Sequence, residues 1–277
     1  MKTEEFVKKY GVAYISSRNN PKCVAYSKLT DAKYRTEYFL AEGEKLSAEA
    51  LRYADVKEIL ISTAANEQKA EEFALTANKS GVAVTVLEEQ AFGKIATEKS
   101  PQGIIAVVNL MHNLHQNDST DFSEWQKGKR LLMLDELRDP GNLGTIIRTA
   151  EALGITGIIL SGCADIYNPK TVRASMGSIF RMSIYSTKNG SARVEELKSF
   201  SRRVLASALD DKAYTLGSFE PNSTDCVVIG NEGHGISREI LSKTTGTFMI
   251  PMSGNTESLN AASAAAVILW EYYRTFR

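Results

Sequence analysis

The sequence is short of the residues that build bridges and metal sites. Its only three cysteines, Cys23, Cys163 and Cys226, lie far apart in 277 residues. That spacing makes neither a disulfide framework nor a zinc site, and it suits a reducing, cytoplasmic compartment. Histidine is as scarce: His112, His115 and His234 have no ligand partners at useful spacing, so no metal is expected. Long apolar runs are missing too. The longest, Ala261 to Trp270, is interrupted by Ser263 and is too short to cross a bilayer, so no membrane partner is expected. The opening MKTEEFVKKYG has no apolar core of a secretion signal. Neither an internal repeat nor a low-complexity tract is visible.

Net charge is absent as well, with 33 basic and 33 acidic side chains, so overall charge names no nucleic-acid partner. Its distribution is uneven. Residues 1–40 carry eight Lys/Arg against four Asp/Glu, and residues 170–203 carry eight against two. Folded onto one face, these stretches would make a phosphate-binding surface; solvated helix faces are the plainer outcome. Lys28 and Arg35 from the first stretch and Arg173 from the second are the candidate phosphate contacts. Tyr10, Tyr14, Tyr26 and Tyr34 stand among the first set of charges, where they would stack on unpaired bases or pack a helix.

What is present is a globular composition, 43% apolar and 24% charged, long enough for two domains at roughly 150 residues each. Residues 38–43, 58–62, 82–87 and 103–109 read as short strands with helix-like segments between them, an alternation that predicts a parallel sheet covered by helices. The apolar rhythm lapses from His112 to Lys129. Boundaries follow: 1–112 as one domain, 113–128 as a linker, 129–277 as the second. In the second, strands are expected at 131–137, 157–160, 182–186, 204–209, 226–232 and 247–252. Helices are expected at 142–153, 170–178, 192–201, 237–243 and 258–276, the last starting at Thr256-Glu257-Ser258.

Three strand-to-helix junctions in this second block hold the chemistry. In LDELRDPGNLGTIIRTAEALG (134–154) a Pro-Gly turn opens a helix with Asn142 as candidate N-cap and Arg148 six residues on. In CVVIGNEGHGIS (226–237) a buried strand runs into three glycines that would bare backbone amides to a phosphate or a nucleotide edge, with Glu232 at the strand end and Ser237 capping the next helix. A P-loop's Lys-Ser/Thr is missing, which disfavours NTP hydrolysis. In FMIPMSGNTESLN (248–260) Pro251 spoils a strand edge and Ser258 and Asn260 start the final, Ala-rich helix.

Together and in this order, N-x-G-x-x-x-R (Asn142, Gly144, Arg148), G-N-E-G-x-G (Gly230 to Gly235) and I-P-M with S-L-N (Ile250 to Met252, Ser258 to Asn260) closely resemble the three motifs of the SpoU-type RNA ribose 2′-O-methyltransferases of the knotted SPOUT superfamily. The resemblance covers about residues 130–277. Ala174 to Ser178 is similar to a small-residue segment near the family's substrate, which makes Ser175, with Lys28, Arg35 and Arg173, an expected RNA contact. The first block is similar to the ribosomal-protein-like RNA-binding domain of many members, and SPQGIIAVV (100–108) looks typical of the bacterial 23S rRNA branch.

The resemblance implies an α/β fold with a C-terminal trefoil-knotted domain, and S-adenosylmethionine (AdoMet) as methyl donor held at Gly230, Ile250, Met252 and Leu259. It implies transfer to a ribose 2′-hydroxyl of RNA, most simply 23S rRNA, with Arg148, Asn142, Glu232, Ser258 and Asn260 in the catalytic set. Arg148 would activate the hydroxyl or clamp charge beside it; a guanidinium stays protonated, so clamping needs no unusual ionisation. The family's usual homodimer fits the apolar face Leu259, Ala262, Ala266, Leu269, Trp270 and Tyr273, although core packing explains the same stripe. A tRNA ribose methyltransferase and a catalytically silent rRNA-binding factor remain as alternatives.

Overall fold

In a computed structural model, which describes residues 2–116, 121–210, 212–253 and 258–276, the chain forms these elements in order. They begin with α1 (Thr3–Tyr10), β1 (Ala13–Ile15), α2 (Pro21–Ser27), β2 (Tyr38–Glu42), α3 (Glu44–Tyr53), β3 (Val56–Ser62), α4 (Glu67–Lys79), β4 (Ala83–Leu87), α5 (Glu89–Ile95) and β5 (Ile104–Asn109). Next come β6 (Leu114–Gln116), α6 (Phe122–Trp125), β7 (Leu131–Asp135), α7 (Pro140–Ala152), β8 (Gly157–Ser161), α8 (Pro169–Ser175), β9 (Ser183–Thr187) and α9 (Gly190–Ser199). The rest are β10 (Val204–Ser207), β11 (Tyr214–Thr215), β12 (Cys226–Ile229), α10 (Arg238–Leu241), β13 (Gly246–Met249) and α11 (Ala261–Thr275). Two compact units result: Met1–Met111 with Tyr167–Phe180, and His112–Ile166 with Arg181–Arg277.

The first unit holds a five-stranded sheet in the order β1-β4-β3-β5-β2. It differs from the all-parallel expectation. β5 runs antiparallel to both neighbours, β3 and β2, while β1, β4 and β3 are parallel. β5 slots between two strands already parallel to each other, and no run of apolar residues encodes that direction. The apolar runs themselves are explained by burial: Ile59, Leu60, Ile61 and Ile104 to Val108 are enclosed on both faces. Tyr167–Phe180, which follows β8 in the chain, packs in this unit, with α8 against β2.

Inside it Glu58 is buried yet fully partnered. It accepts from Lys22 Nζ (2.7 Å), Tyr26 Oη (2.9 Å) and Thr85 Oγ1 (2.5 Å), fastening α2 to the sheet. Burial first, and then the neighbouring carboxylate, push the Tyr26 hydroxyl well above the ordinary tyrosine range.

The second unit is built on eight strands in the order β11-β13-β10-β12-β7-β8-β9-β6, every pairing parallel. All five residues of β7 and of β8 are buried, as strands covered on both faces must be. The polar stretch expected as a linker supplies β6, which pairs with β9, and α6, whose Phe122 and Trp125 enter the core beside Tyr185. Two aromatic anchors suffice there without any apolar period. Arg202, also buried, donates to Gln126 Oε1, Gln126 O, Lys129 O and Thr224 O and ties this segment to the sheet.

α7 buries Leu143, Gly144, Ile146, Ile147 and Ala150, the spacing of one helix face, and α11 packs on it through Ala261, Ala265, Ile268, Leu269 and Tyr272. α11 begins three residues later than the sequence pattern predicts, and Thr256 and Glu257, expected to start it, lie outside the described residues. Its apolar stripe divides between two faces: Leu269 is buried, whereas Val267 and Trp270 (51% exposed) point outward. No helix among the described residues is long and apolar enough to cross a membrane.

Candidate active site

Because every strand of the second sheet runs the same way, the chain segments that leave β7, β10, β12 and β13 emerge at one edge. Open α/β sheets bind ligands at that carboxyl edge. The three motif loops meet there through side chains. Asn142 Nδ2 donates to Glu232 Oε1 (3.0 Å), and Asn260 Nδ2 donates to Asn142 Oδ1 (3.1 Å). Backbone amides of Arg138 and Asp139 complete the ring of donors to the Glu232 carboxylate, each at 3.3 Å. Partial burial pushes this carboxyl up, but the Asn142 amide, the backbone N–H of Glu232 itself and those of Arg138 and Asp139 outweigh it and hold the group below the usual carboxylate value. Glu232 is therefore an anion with its orientation fixed.

Helix ends account for how the loops reach this geometry. Asp139, not Asn142, caps α7: its carboxylate accepts from the Asn142 backbone N–H at 2.8 Å, with Pro140 at the first helical position. The Asp-Pro pair signals that cap in the sequence, and it leaves the Asn142 side chain free for the site. Asn260 does both tasks, since its Oδ1 caps α11 by accepting from Ala262 N (2.9 Å) and Ser263 N (3.4 Å) while its Nδ2 reaches Asn142.

The glycine loop after β12 differs from an open row of amides. Asn231 Oδ1 accepts from Gly233 N (2.7 Å) and His234 N (3.3 Å), and Asn231 and Gly235 exchange backbone bonds. Ser237 N donates to the buried Asp135 carboxylate (2.8 Å), and the Ser237 hydroxyl makes no cap of its own. Asn231 Nδ2 reaches the carbonyl of Glu136 (2.7 Å), whose backbone is held at φ 52°. Asp135 and Asn231 hold this loop; motif reading gives Asn231, within G-N-E-G-x-G, no part of its own and does not single out Asp135. A charged residue closing an otherwise apolar strand was the available signal for Asp135. Gly230 is required by the loop itself, because a Cβ there would come within 2.3 Å of the Gly235 carbonyl carbon.

Other expected residues distribute as follows. Arg148 lies on the exposed side of α7, about 9 Å along the axis from Asn142, with no ion pair or hydrogen bond among the described residues. Ser258 is exposed just before Asn260. Ile250 is half-buried after β13, and Met252 and Leu259 are 36% and 38% exposed. Leu209, following β10 and 73% exposed, is a further apolar group at this sheet edge that sequence reading did not single out.

Lys28 is exposed and Arg35 half-buried in the first unit. Arg173 lies there too, paired with Glu98 (2.9 Å) and donating to Thr97 Oγ1 (3.2 Å). Ser175 is fully buried, its hydroxyl donating to the Val172 carbonyl (2.7 Å). Much of the 170–203 basic stretch is likewise engaged: Arg181 with Glu151, Arg193 with Glu196, Arg203 with Asp225, and Arg202 inside the core. Its residues divide between the two units, Lys170 and Arg173 in the first and the rest in the second. Among the described residues no cluster of His, Cys, Asp and Glu could hold a metal ion.

The chemistry of this edge suits AdoMet. Exposed apolar groups (Leu209, Met252, Leu259) stand in the segments that leave this sheet edge, which also carries a fixed carboxylate and two side-chain amides, the mix of groups that a ligand joining an aromatic base to a charged amino-acid end calls for.

Comparison with known proteins agrees with that chemistry. The model of the SpoU rRNA Methylase family matches residues 129–270, and that of an MRM3-like substrate binding domain matches residues 20–106. The chain is 34% identical over 260 residues to the Bacillus subtilis 23S rRNA (guanosine(2553)-2′-O)-methyltransferase RlmP, covering 92% of this chain and 97% of the relative. Two crystal structures of an rRNA methyltransferase from Sinorhizobium meliloti, 29% identical, superpose over 96% of this chain and 99% of theirs. Their TM-scores are 0.80 and, for the AdoMet-bound form, 0.77. With just over half its length matched by the family model and a relative of this identity along nearly all of it, the chain belongs to the SpoU rRNA methylase family.

Proposed function

We propose that the protein transfers the methyl group of AdoMet to a ribose 2′-hydroxyl of 23S rRNA. The observation that carries this reading is the hydrogen-bonded chain Glu232–Asn142–Asn260, which joins three loops distant in sequence at the ligand-binding edge of one parallel sheet. When bound, AdoMet supplies an electrophilic methyl on a sulfonium; Ile250, Met252, Leu259 and the Gly230 backbone would hold it.

The remaining work falls to the side chains. A ribose hydroxyl is a weak nucleophile and must be held in line at near-attack distance. Asn142 has its oxygen engaged by Asn260 and one amide hydrogen engaged by Glu232, so its second amide hydrogen remains to orient the ribose. Arg148 serves as an electrostatic clamp: its guanidinium grips an RNA phosphate and stabilises the negative charge growing on the 2′ oxygen as the hydroxyl proton leaves to solvent. Ser258, beside Asn260, completes the polar wall.

The first unit binds RNA, with Lys28 and Arg35 as contacts; Arg173 acts by bracing the loop at Thr97 and Glu98. We assign the family's trefoil knot to the C-terminal loops and a homodimer to the outer face of α11, where Val267 and Trp270 are exposed. The enzyme works in the cytoplasm, where ribosomal RNA is made and matured in bacteria. The test is methyl incorporation from labelled AdoMet into total RNA, followed by mapping of 2′-O-methyl sites in rRNA with and without the protein. Labelling of a base, or none at all, would overturn the assignment. Sedimentation of the parent beside Trp270→Glu tests the dimer.

A further inference from the structure

We infer that Tyr34 is a stacking platform for an unpaired nucleobase of the RNA substrate, with Lys28 and Lys33 closing on the phosphates beside it. The inference rests on the reading of the protein as an RNA methyltransferase and specifies what the first unit recognises.

The segment between α2 and β2 is a pair of single 3-10 turns, Lys28–Thr30 and Ala32–Tyr34. Its backbone is held at both turns. Leu29 is buried and pins the first turn, while Asp31 caps the second by accepting from Lys33 N (3.1 Å) and pairs with Lys33 Nζ (3.3 Å). α2 before it is anchored by the buried Cys23 and by the Lys22 and Tyr26 bonds to Glu58. A fixed turn thus holds out a ring that the fold itself does not use.

Tyr34 is 45% exposed, and its hydroxyl makes no hydrogen bond among the described residues. The other tyrosines nearby are spoken for: Tyr26 donates to Glu58, and Tyr14, equally exposed, donates to Glu88 at 2.7 Å. Among the described residues, two lysines make cation–π contacts with the Tyr34 ring. The Lys28 and Lys33 ammonium groups lie 5.3 and 4.8 Å from its centroid. An exposed cation–π contact is weaker than stacking of a base on the same ring, so a base would displace a lysine from the ring face. The displaced ammonium then stands one nucleotide's reach from the backbone it neutralises. A ring flanked by two exposed lysines suits a splayed-out nucleotide and offers little to a duplex, whose bases are already stacked. The whole feature falls within residues 20–106, the stretch matched by the substrate-binding domain model.

The experiment uses the full chain with two labelled probes, a single-stranded oligoadenylate of about 12 nucleotides and a blunt RNA duplex of equal length. Tyr34→Ala is expected to weaken single-strand binding roughly tenfold and to leave duplex binding unchanged. Tyr34→Phe, which keeps the ring and loses only an unbonded hydroxyl, should bind like the parent. Lys28→Ala and Lys33→Ala should each flatten the salt dependence on the single strand by about 0.7 in log–log slope. Equal binding by Tyr34→Ala and parent overturns the platform, as does equal weakening on both probes, or a Phe variant as weak as Ala. Labelled methyl transfer to total RNA by the parent separates the two levels of inference. A parent that methylates RNA but has no affinity for the single strand, or whose Tyr34→Ala binds it normally, sinks the platform alone. A parent that neither binds nor methylates RNA sinks both.

Discussion

Two glutamates, one in each unit, sit in rings of hydrogen-bond donors and are put to opposite use. Glu58 is buried inside the first unit, where it accepts from Lys22, Tyr26 and Thr85 and every partner belongs to the scaffold. Glu232 is exposed, bound by Asn142 and two backbone amides, and one of its partners keeps a donor in reserve. A network buried out of a ligand's reach serves structure alone. A fixed network at the open edge of a parallel sheet, with hydrogen-bonding capacity still unspent, can address a substrate without reorganising. The difference between them locates chemistry by what remains unsatisfied, and substitutions on the two sides should therefore damage different quantities.

The largest effect belongs to the open edge. Arg148→Ala should lower kcat by about 10²–10³, with AdoMet affinity and melting temperature unchanged, because this side chain has no partner in the described fold. Arg148→Lys keeps the charge and loses the planar fork, so it should recover only part of the rate. Single-turnover methyl transfer with saturating AdoMet is the measurement, and a fully active Arg148→Ala enzyme would remove the clamp from the mechanism. In the sealed network the loss should be in stability. Glu58→Ala strips acceptors from Thr85, Tyr26 and Lys22; Lys22, 40% exposed, can return to water, but Thr85 cannot. A cost of about 1–3 kcal/mol follows, seen as a lower denaturant midpoint with kcat unaltered in the folded enzyme.

That contrast was only half legible in the sequence. The strands leading to the site are continuous apolar runs bounded by turn residues, and LLMLD, GIIL and CVVI read directly as what they are. Asn142, Glu232 and Asn260 could be picked out because their motifs recur in one order, but no spacing rule shows that their side chains bond to one another. Partnerships between distant residues stay hidden for the same reason: nothing local tells Arg173 that Glu98 waits for it, or that Ser175 will face inward. Direction is equally invisible in β5, whose residues would suit a parallel neighbour just as well. β6 and α6 were missed because a polar stretch needs only Phe122 and Trp125 to dock. Where local chemistry did carry the answer, as at Asp139-Pro140, it had simply to be weighed above the neighbouring Asn142.

A smaller effect should separate scaffold from site within one residue. Asn260 caps α11 through its oxygen and holds Asn142 through its nitrogen. Serine caps as well as asparagine but has no amide to donate, so Asn260→Ser should keep stability within about 0.5 kcal/mol while lowering kcat/KM roughly fivefold, the worth of one neutral hydrogen bond. Asn260→Ala removes both functions and should add a stability loss of about 1 kcal/mol. If the serine variant matches the parent in rate, the link from Asn260 to Asn142 is structural ornament and the two clusters are more alike than argued.

The smallest effect is one of pH, and it tests whether Glu232 works as an anion. Its carboxyl is pushed up by burial but held, on balance, below the ordinary 4.5 by the donors around it. A group whose acidity is enhanced in the folded state stabilises that state fully above its unfolded value and loses the contribution as pH falls through the folded one. Glu232→Gln cannot titrate and retains only one acceptor oxygen. The stability gap between parent and variant should therefore be flat from neutral pH down to about 4.5 and then narrow as acid protonates the parent's carboxylate. Every other titrating group is common to both proteins and cancels in the difference. Denaturant midpoints for the pair across an acid series give the curve directly. A gap that stays constant into strong acid would mean that the ring of amides recognises the shape of the side chain and not its charge, and Glu232 would then belong with Glu58 on the structural side.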